Sequence, residues 1–269
     1  MERNQTSLDT LCGALCCAMG IDPPACAAGA NAELCAYVET ALGGRKADRI
    51  LMYNPDAIAQ WIYEKYPDLL EHAIALTDLR LPLRTVIPPV TPVCFGTMYT
   101  GAQPQVHGIV AYAKSLIRID TIFDALIRAG KKPCIISQEN CSMSLIFRDR
   151  PMDYFIYPTV PEILAKAAEV ILRDEHDFIV VYNGNYDKQM HANGPEGVPT
   201  LAALNCNDQA FAVLDTLVRT HWKHHDTLVG FAMDHGCHLR APGRGTHGDD
   251  IPEDLNIVHL YKAHPKTEI

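Results

Sequence analysis

The sequence predicts an α/β fold with a mainly parallel central sheet, and three observations support that prediction. Short apolar runs of strand length recur along the chain without the in-and-out alternation of a half-exposed strand. Segments with the 3.6-residue period of a helix lie between these runs, and such alternation is typical of α/β proteins. Hydrophobic residues make up 48% of the chain and charged residues 20%, which is enough apolar material to cover both faces of a sheet.

Each predicted strand is an apolar run bounded by polar or turn-forming residues. The runs occupy residues 49–53, 133–137, 177–182, 227–233 and 255–260. Ahead of them, residues 1–47 contain two helical stretches, at about 7–19 and 31–42, separated by a region with two prolines. These stretches are predicted to form either a small cap over the pocket or the outer layer of the main domain.

Three further helices are predicted between the strands. The first covers residues 119–129 and ends at Gly130, a residue type that favours helix C-termini. The second covers residues 160–173, with Pro161 in its first turn. The third, residues 200–223, is the longest, and its leucines and Phe211 recur on one face. The sequence has no internal repeat or obvious linker, so we expect a single domain over residues 1–269.

Composition and charge exclude several classes of protein. No run reaches the roughly 18 consecutive apolar residues of a membrane helix. The mixed charges at the start of the sequence do not resemble a secretory signal, so we expect a cytoplasmic protein with no membrane partner. The chain has 23 basic and 32 acidic residues, a net charge of −9, and no basic stripe for a nucleic-acid polymer. An anionic substrate would therefore require bound cations that reverse the sign of the charge locally.

The ten cysteines admit two interpretations. Cys12, Cys16 and Cys17 are at helical spacing in an apolar segment, which favours small buried thiols in a reducing compartment. The alternative is a metal site formed by Cys12, Cys16, Cys26 and Cys35, although these residues include no C-x-x-C pair.

Carboxylate and imidazole side chains follow three of the predicted strands. The residues are Asp56 after the first strand, Asp187 and His191 after the strand at 177–182, and Asp234 and His235 after the strand at 227–233, with His247 twelve residues further on. In open α/β sheets, ligands bind where the carboxyl ends of the strands meet. Asp and His are the usual oxygen and nitrogen ligands of zinc and related metals, so the sequence predicts a metal site at this edge of the sheet.

Thr91 lies at a predicted helix start. An extended segment, Pro88–Val90, precedes it, so Thr91 fits the N-cap position and Pro92 the first helical position. In one interpretation Thr91 is only a helix cap. In the other its hydroxyl faces a phosphate held by free backbone N–H groups, and a base or a metal activates it as a nucleophile.

These residues and their spacing resemble the alkaline phosphatase superfamily, and most of all its type I phosphodiesterase/nucleotide pyrophosphatase branch. Nine residues after Thr91 comes the stretch Thr100–Ile109, which has the T-G-x-x-P-x-x-H-G-I pattern. An earlier strand-end Asp, then D-x-x-x-H, D-H-G and a late H-G complete the pattern in the same order, from Asp56 to His247. The resemblance implies an alkaline-phosphatase-like three-layer sandwich and a single catalytic domain.

The resemblance also implies two metal sites and a nucleophile. The implied ligands are Asp187, His191 and His247 for one divalent ion, zinc or manganese, and Asp56, Asp234, His235 and the Thr91 oxygen for the other. Thr91 would attack the phosphorus of a small phosphate ester, and water would then hydrolyse the phosphorylated threonine. His107 of the motif is expected to be structural and to hold the turn after the nucleophile helix.

Two departures from the family pattern bear on the substrate. In the phosphodiesterase branch an Asn after H-G-I helps to hold the transferred group, whereas this chain has Val110–Lys114, with Tyr112 and Lys114 as the candidate replacements. The interval between His235 and His247 is short, so an insertion that forms a substrate pocket in many relatives is missing. The expected function is a phosphodiesterase or pyrophosphatase. The alternatives are a phosphomonoesterase or phosphonate hydrolase on the same core, and a non-catalytic protein that binds metal or ligand.

Overall fold

A seven-stranded sheet flanked by helices organises the chain, in a computed structural model that describes residues 2–241 and 243–267. The strands are β1 (Arg49–Pro55), β2 (Leu79–Arg84), β3 (Pro133–Gln138), β4 (Asp153–Tyr157), β5 (Phe178–Asn183), β6 (Thr227–Phe231), β7 (His238–Ala241), β8 (Arg244–Thr246) and β9 (Asn256–His264). The helices are α1 (Thr10–Met19), α2 (Ala32–Ala41), α3 (Gln60–Lys65), α4 (Glu71–Leu76), α5 (Thr91–Thr100), α6 (Pro104–His107), α7 (Ile122–Arg128), α8 (Ser142–Ile146), α9 (Val160–Arg173), α10 (Asn185–Asn193), α11 (Val198–His221) and α12 (Pro252–Leu255), with a 3-10 turn at Pro67–Leu70.

The main sheet has the strand order β2-β9-β6-β1-β5-β3-β4. The five strands from β6 to β4 are parallel, whereas β9 runs antiparallel to both β6 and β2. Strands β7 and β8 form a separate antiparallel hairpin. The predicted α/β class with a mainly parallel sheet is therefore confirmed.

Both faces of the central strands are covered. Residues Ile50–Tyr53 of β1 are fully buried. Tyr53 packs against Phe211 of α11 with ring centroids 6.2 Å apart, whereas the next residue, Asn54, accepts a hydrogen bond from Tyr99 of α5 at 2.5 Å. Successive residues of a strand point to opposite faces, so α11 and α5 lie on opposite sides of the sheet. This double burial explains why the strand is an uninterrupted apolar run.

The two N-terminal helices pack on elements of the main sheet and its flanking layer. Helix α1 contacts α5, and α2 contacts β2 and β9. Ser7 forms a parallel bridge with Arg84 at the end of β2. None of the described helices, α1 and α2 included, combines the length and hydropathy needed to cross a bilayer.

The sequence analysis missed β2 and β4, which are the two edge strands of the main sheet. In β2 buried leucines alternate with exposed residues, but Pro82 interrupts the pattern. Proline cannot donate a ladder hydrogen bond, which makes it unfavourable in a central strand and acceptable at an edge. The position of a strand within the sheet cannot be read from its own residues, so Pro82 argued against a strand at this place in the sequence.

Candidate metal centre

The order of the sheet brings three groups of polar residues together. Strands β6, β1 and β5 are adjacent and parallel, so their carboxyl ends lie side by side. Asp56 follows β1 directly, and Asp234 and His235 follow β6. Helix α10 begins two residues after β5 and carries Asp187 and His191. Residues that are far apart in sequence therefore meet at one edge of the sheet.

The first group is formed by α10 and the segment after the β7–β8 hairpin. Asp187 and His191 are four residues apart on α10 and lie on one face of it. The Asp187 Oδ1 atom is 3.2 Å from His191 Nε2 and 3.5 Å from His247 Nε2. Donor atoms of these three residues lie within 4.8 Å of one another, close enough to share one metal ion.

The second group lies deeper, among residues that are almost completely buried. His235 Nε2 is 3.4 Å from Asp56 Oδ1 and 3.3 Å from Asp234 Oδ2. The same nitrogen is 3.2 Å from the hydroxyl oxygen of Thr91. The rings of His235 and His247 have centroids 4.0 Å apart, so the two groups adjoin. All seven residues singled out in the sequence thus meet in one place.

Each aspartate of the deeper group binds a neighbour with one oxygen and leaves the other oxygen without a partner. Asp56 Oδ2 accepts a hydrogen bond from the Tyr182 hydroxyl, and Asp234 Oδ1 accepts one from the Ala57 N–H at 3.2 Å. Ala57 adopts a left-handed conformation (φ 63°) to make this bond. The other oxygens, together with Asp187 Oδ1, are buried and form no hydrogen bond. Unpaired buried carboxylate oxygens are costly, and a cation would satisfy them.

The three histidines are oriented as metal ligands are. The Nδ1 atom of each lies within hydrogen-bond distance of a backbone carbonyl: Gly245 for His191 (3.2 Å), Pro89 for His247 (3.1 Å) and Gly236 for His235 (2.9 Å). A neutral imidazole that donates from Nδ1 has its lone pair on Nε2, the atom that faces the carboxylates. Three imidazole nitrogens and three carboxylate oxygens form a donor set that suits zinc or manganese.

Among the described residues, the groups that could hold a metal contain Asp and His but no cysteine. The alternative metal site at Cys12, Cys16, Cys26 and Cys35 has no support. All ten cysteines are free thiols, and Cys12 and Cys16 are buried in α1 as expected for packing residues.

The carboxylates of the deeper group are difficult to charge without a cation. Burial, and then the nearby charge of Asp187, raise the pKa of Asp56 to about 7. Burial and the charge of Asp56 raise the pKa of Asp234 well above its usual value. Burial also lowers the pKa of His235 well below its usual value, so this ring stays neutral and keeps a lone pair. Cation binding in this group would displace protons from the carboxylates.

The outer group shows the opposite balance. Burial acts to raise the pKa of Asp187, but the adjacent imidazoles of His191 and His247 outweigh burial and hold that pKa below its usual value. The carboxylate of Asp187, 3.2 Å from the imidazole, raises the pKa of His191. Burial opposes the charged form of His247, yet Asp187 also raises the pKa of that ring. Asp187 therefore stays ionised and favours the protonated forms of His191 and His247 when no cation is bound.

Thr91 is the first residue of α5, and the predicted N-cap position was one residue too late. Val90 is the N-cap because it is the last residue in extended conformation (φ −133°, ψ 145°), and Pro92 is the second helical residue. The N–H groups of Val93 and Cys94 donate to the Val90 carbonyl at 3.0 Å. Fewer backbone N–H groups at the start of α5 are therefore free to bind a phosphate than the sequence predicts. The Thr91 side chain makes no capping bond and is left facing His235.

A pocket of about 360 Å³ opens onto Thr91. Its lining residues are Val90, Thr91, Tyr112, Asp187, His191 and His247. Of the two candidate replacements for the family's Asn, Tyr112 lies in the pocket wall. Lys114 donates from Nζ to the Asn140 carbonyl at 2.7 Å and lies 5.8 Å from the centre of the Tyr112 ring.

Tyr182 and Ala57 bind the aspartates of the deeper group and were not identified as site residues in the sequence. Tyr182 belongs to an apolar strand and has no motif of its own. Only the register of β5 against β1, with Asn183 opposite Pro55, places its hydroxyl at Asp56. A small residue directly after a strand-end Asp was the one signal that could have pointed to Ala57.

His107 lies away from the metal-binding groups and connects α5 to the turn that follows it. The Ile109 N–H donates to His107 Nδ1 at 3.3 Å, so Nε2 carries the hydrogen and donates to Thr97 Oγ1 at 3.1 Å. A Cβ atom at Gly96 would be 2.8 Å from the imidazole, which explains the glycine at this position. These contacts are those of a structural residue. Burial, which disfavours the charged imidazolium, lowers the pKa of His107 to about 4.

This histidine makes the fold sensitive to acid. Between pH 6.5 and pH 4 the unfolded chain binds a proton at His107 and the folded chain does not, so stability falls as pH falls. We expect the loss of unfolding free energy between pH 7.5 and pH 5 to be about 2 kcal/mol smaller in His107→Gln than in the wild type. Urea unfolding at both pH values, with a chelator present, measures this difference. An equal loss in the two proteins would contradict the assignment.

Comparison with known proteins gives a family match over part of the chain and several similar structures. The model of the type I phosphodiesterase/nucleotide pyrophosphatase family matches residues 54–115, a range that contains Asp56, Thr91 and His107. None of the curated proteins matches the chain. Human ectonucleotide pyrophosphatase/phosphodiesterase 5 has a similar structure, with a TM-score of 0.60 and 17% identity over 72% of this chain and 58% of its own.

Two further structures are similar. An inactive threonine-to-alanine variant of murine ectonucleotide pyrophosphatase/phosphodiesterase 5, in complex with AMP, has a TM-score of 0.58 and 17% identity over 72% of this chain and 58% of its own. Phosphonoacetate hydrolase from Sinorhizobium meliloti 1021, in complex with phosphonoformate, has a TM-score of 0.52 and 18% identity over 73% of this chain and 59% of its own. The match spans less than two thirds of these proteins' length. The predicted resemblance and the predicted alkaline-phosphatase-like fold are confirmed.

Proposed function

We propose that this chain hydrolyses small phosphate esters, phosphodiesters and pyrophosphates above all, with Thr91 as the nucleophile. Two divalent cations, zinc or manganese, would be held by Asp187, His191 and His247 and by Asp56, Asp234 and His235. One observation carries the proposal. The Thr91 hydroxyl is 3.2 Å from His235 Nε2, inside a group of buried carboxylates whose inward-facing oxygens have no hydrogen-bond partner.

The reaction would proceed in two displacements at phosphorus. When bound, the cations supply the positive charge that favours the alkoxide form of the threonine and neutralises the phosphoryl oxygens. Thr91 Oγ1 forms a bond to phosphorus as the bond to the leaving ester oxygen breaks. Water then attacks the same phosphorus and releases the threonine. Thr91 is the first residue of α5, and its oxygen lies 3.2 Å from His235 Nε2, beside the carboxylates that would hold the cations.

The charge of the pocket favours a monoanionic substrate. Before Thr91 ionises, two divalent cations would exceed the charge of Asp56, Asp187 and Asp234 by one unit. The described residues that line the pocket include no Lys or Arg. A phosphodiester, with one negative charge, matches this site, whereas the second charge of a phosphomonoester finds no cationic side chain.

Two model substrates test this preference. We expect kcat/KM for bis-p-nitrophenyl phosphate to exceed that for p-nitrophenyl phosphate by about tenfold or more, a difference of roughly 1.4 kcal/mol in transition-state stabilisation. Release of p-nitrophenol from each, with zinc or manganese in excess, gives the ratio. Faster hydrolysis of the monoester would favour the phosphomonoesterase alternative. Inactivity toward both, with metal bound, would favour a binding protein.

A phosphonate hydrolase is the second candidate function. Its support is the structural similarity to phosphonoacetate hydrolase in complex with phosphonoformate. Phosphate release from phosphonoacetate, measured beside hydrolysis of the diester, separates the two candidates because only the phosphonate reaction breaks a carbon–phosphorus bond.

Tyr182 is proposed to position Asp56 for the metal. Its hydroxyl binds Asp56 Oδ2 and leaves Oδ1 facing His235. We expect Tyr182→Phe to weaken binding of one zinc ion about 10- to 100-fold while the second ion binds normally. Competition with a zinc-binding dye measures both affinities.

Tyr53→Phe is the matched control for this substitution. It removes a buried hydroxyl that donates to Asn207 and accepts from the Asn183 amide, each at 2.8 Å, and that contacts none of the six candidate ligand residues. Its zinc affinities should equal those of the wild type. Unchanged affinities in Tyr182→Phe would contradict the positioning role.

A further inference from the structure

A second cavity, of about 600 Å³, lies behind α10 at the carboxyl edge of the sheet. It is formed by the ends of β3 and β4 and by parts of α9, α10 and α11. Its lining residues are Gln138, Pro158, Thr159, Val160, Pro161, Leu164, Asn185, Lys188, Cys206, Gln209, Ala210, Val213 and Leu214. None of these lines the pocket at Thr91. The volume is that of a small-molecule site, at the edge of the sheet where α/β proteins bind ligands.

The walls of this cavity are largely apolar, with one charge. Six of the thirteen lining residues are aliphatic side chains of α9 and α11, and Val213 remains 58% exposed there. Among the described lining residues, Lys188 alone carries a charge. An apolar concave surface with a few polar groups is the usual composition of a ligand site.

Most polar groups of the lining are already paired. Gln138 Oε1 accepts from the Gly184 N–H at 3.3 Å, the Thr159 hydroxyl donates to Glu162 at 2.6 Å, and Gln209 Nε2 donates to Asn205 at 2.9 Å. The Lys188 ammonium and the Asn185 side-chain amide, by contrast, make no hydrogen bond or ion pair within the described part of the chain. The two free groups are three residues apart on α10 and lie on the same side of the helix.

We propose that this cavity binds a small organic anion with an apolar body, its acidic group against Lys188 and Asn185 and its body against α9 and α11. The ligand is distinct from the phosphate ester at Thr91, and its binding does not depend on the proposed hydrolysis. An ammonium and an amide together provide donors for a carboxylate, sulfonate or phosphate oxygen. The aliphatic residues of the walls lose their contact with water when the apolar body binds.

Two fluorescent probes that differ by one acidic group test the site. 8-Anilinonaphthalene-1-sulfonate has the proposed character, and N-phenyl-1-naphthylamine is its neutral counterpart. We expect saturable binding of both to the chain of residues 1–269. Lys188→Gln should weaken binding of the sulfonate about three- to tenfold and change binding of the neutral probe less than about twofold.

Two valine substitutions on α11 locate the bound probes. Val213→Asp places a charge in the cavity wall and should weaken both probes about tenfold or more. Val198→Asp places the same charge at a residue that is 83% exposed and outside the cavity, and should change neither affinity. Circular dichroism and thermal unfolding establish that all three variants remain folded.

The outcomes separate this site from the metal centre. The titrations are repeated with Thr91→Ala, which should bind both probes normally whether or not the chain is a hydrolase. Equal affinity of the sulfonate for wild type and Lys188→Gln would overturn the proposal, as would probe binding that survives Val213→Asp. Displacement of the sulfonate by AMP or inorganic phosphate, with zinc present, would assign the probe to the pocket at Thr91 and also overturn it.

Discussion

Thr91→Ala is expected to lower kcat/KM for bis-p-nitrophenyl phosphate by about 1,000-fold or more, the largest effect of a single substitution in this chain. The change removes the oxygen that would form the bond to phosphorus. It leaves Asp56, Asp234 and His235 in place, so metal content should not change. Thr91 is almost buried and the substitution deletes only a hydroxyl and a methyl group, so the fold should persist. Initial rates and elemental analysis of the same protein sample give both quantities.

Thr91→Ser is the matched control, because it keeps the hydroxyl and loses only the methyl group. This variant should retain much more activity than Thr91→Ala. Near-normal rates in the alanine variant would remove Thr91 from the role of nucleophile and would leave water as the attacking group. Loss of metal from the alanine variant would instead show that the Thr91 oxygen is needed chiefly as a ligand.

Removal of divalent cations is expected to have an effect of similar size, a loss of about 1,000-fold or more in hydrolysis of the diester. Without cations, burial favours the protonated, uncharged forms of Asp56 and Asp234, and the charged Asp187 carboxylate repels the anionic substrate. Dialysis against a chelator followed by assay with added metal measures the loss and its reversal. Zinc or manganese should restore the rate.

Magnesium is the control metal for this experiment. It prefers oxygen ligands in a regular octahedron, whereas three of the six candidate donor side chains are imidazoles. Magnesium should therefore restore much less activity than zinc. The metal-loaded protein should also unfold at a higher temperature than the chelated one, because the ions bind the folded chain. Full activity in protein shown to be free of metal would exclude a metal-dependent reaction.

Much of the fold was predictable from local pattern. The buried strands at residues 49–53, 133–137 and 177–182 were found because a strand covered on both faces is a continuous apolar run. Helix α9 was predicted with its observed bounds, Val160–Arg173, because its apolar residues recur at helical spacing and proline lies in its first turn. Both signals depend on residues that are close in sequence.

The candidate site was predictable in its members but not in its details. Order and spacing of the motifs identified the seven residues from Asp56 to His247. The contact between Tyr182 and Asp56, the start of α5 at Thr91 and the placement of Tyr112 rather than Lys114 in the pocket wall were not predictable. Each depends on the position of a side chain relative to a segment that is distant along the chain.

The sequence by itself determined the fold class and the chemistry of the donors, because burial period and residue type are local properties. Only the tertiary structure decided which donors meet. Strands β6, β1 and β5 are neighbours although they are the sixth, first and fifth in the chain, and this order places Asp234, Asp56 and Asp187 together. The cavity at Lys188 likewise combines segments from residues 138 to 214. Pairing of strands and packing of helices depend on contacts across the whole chain, which no local pattern contains.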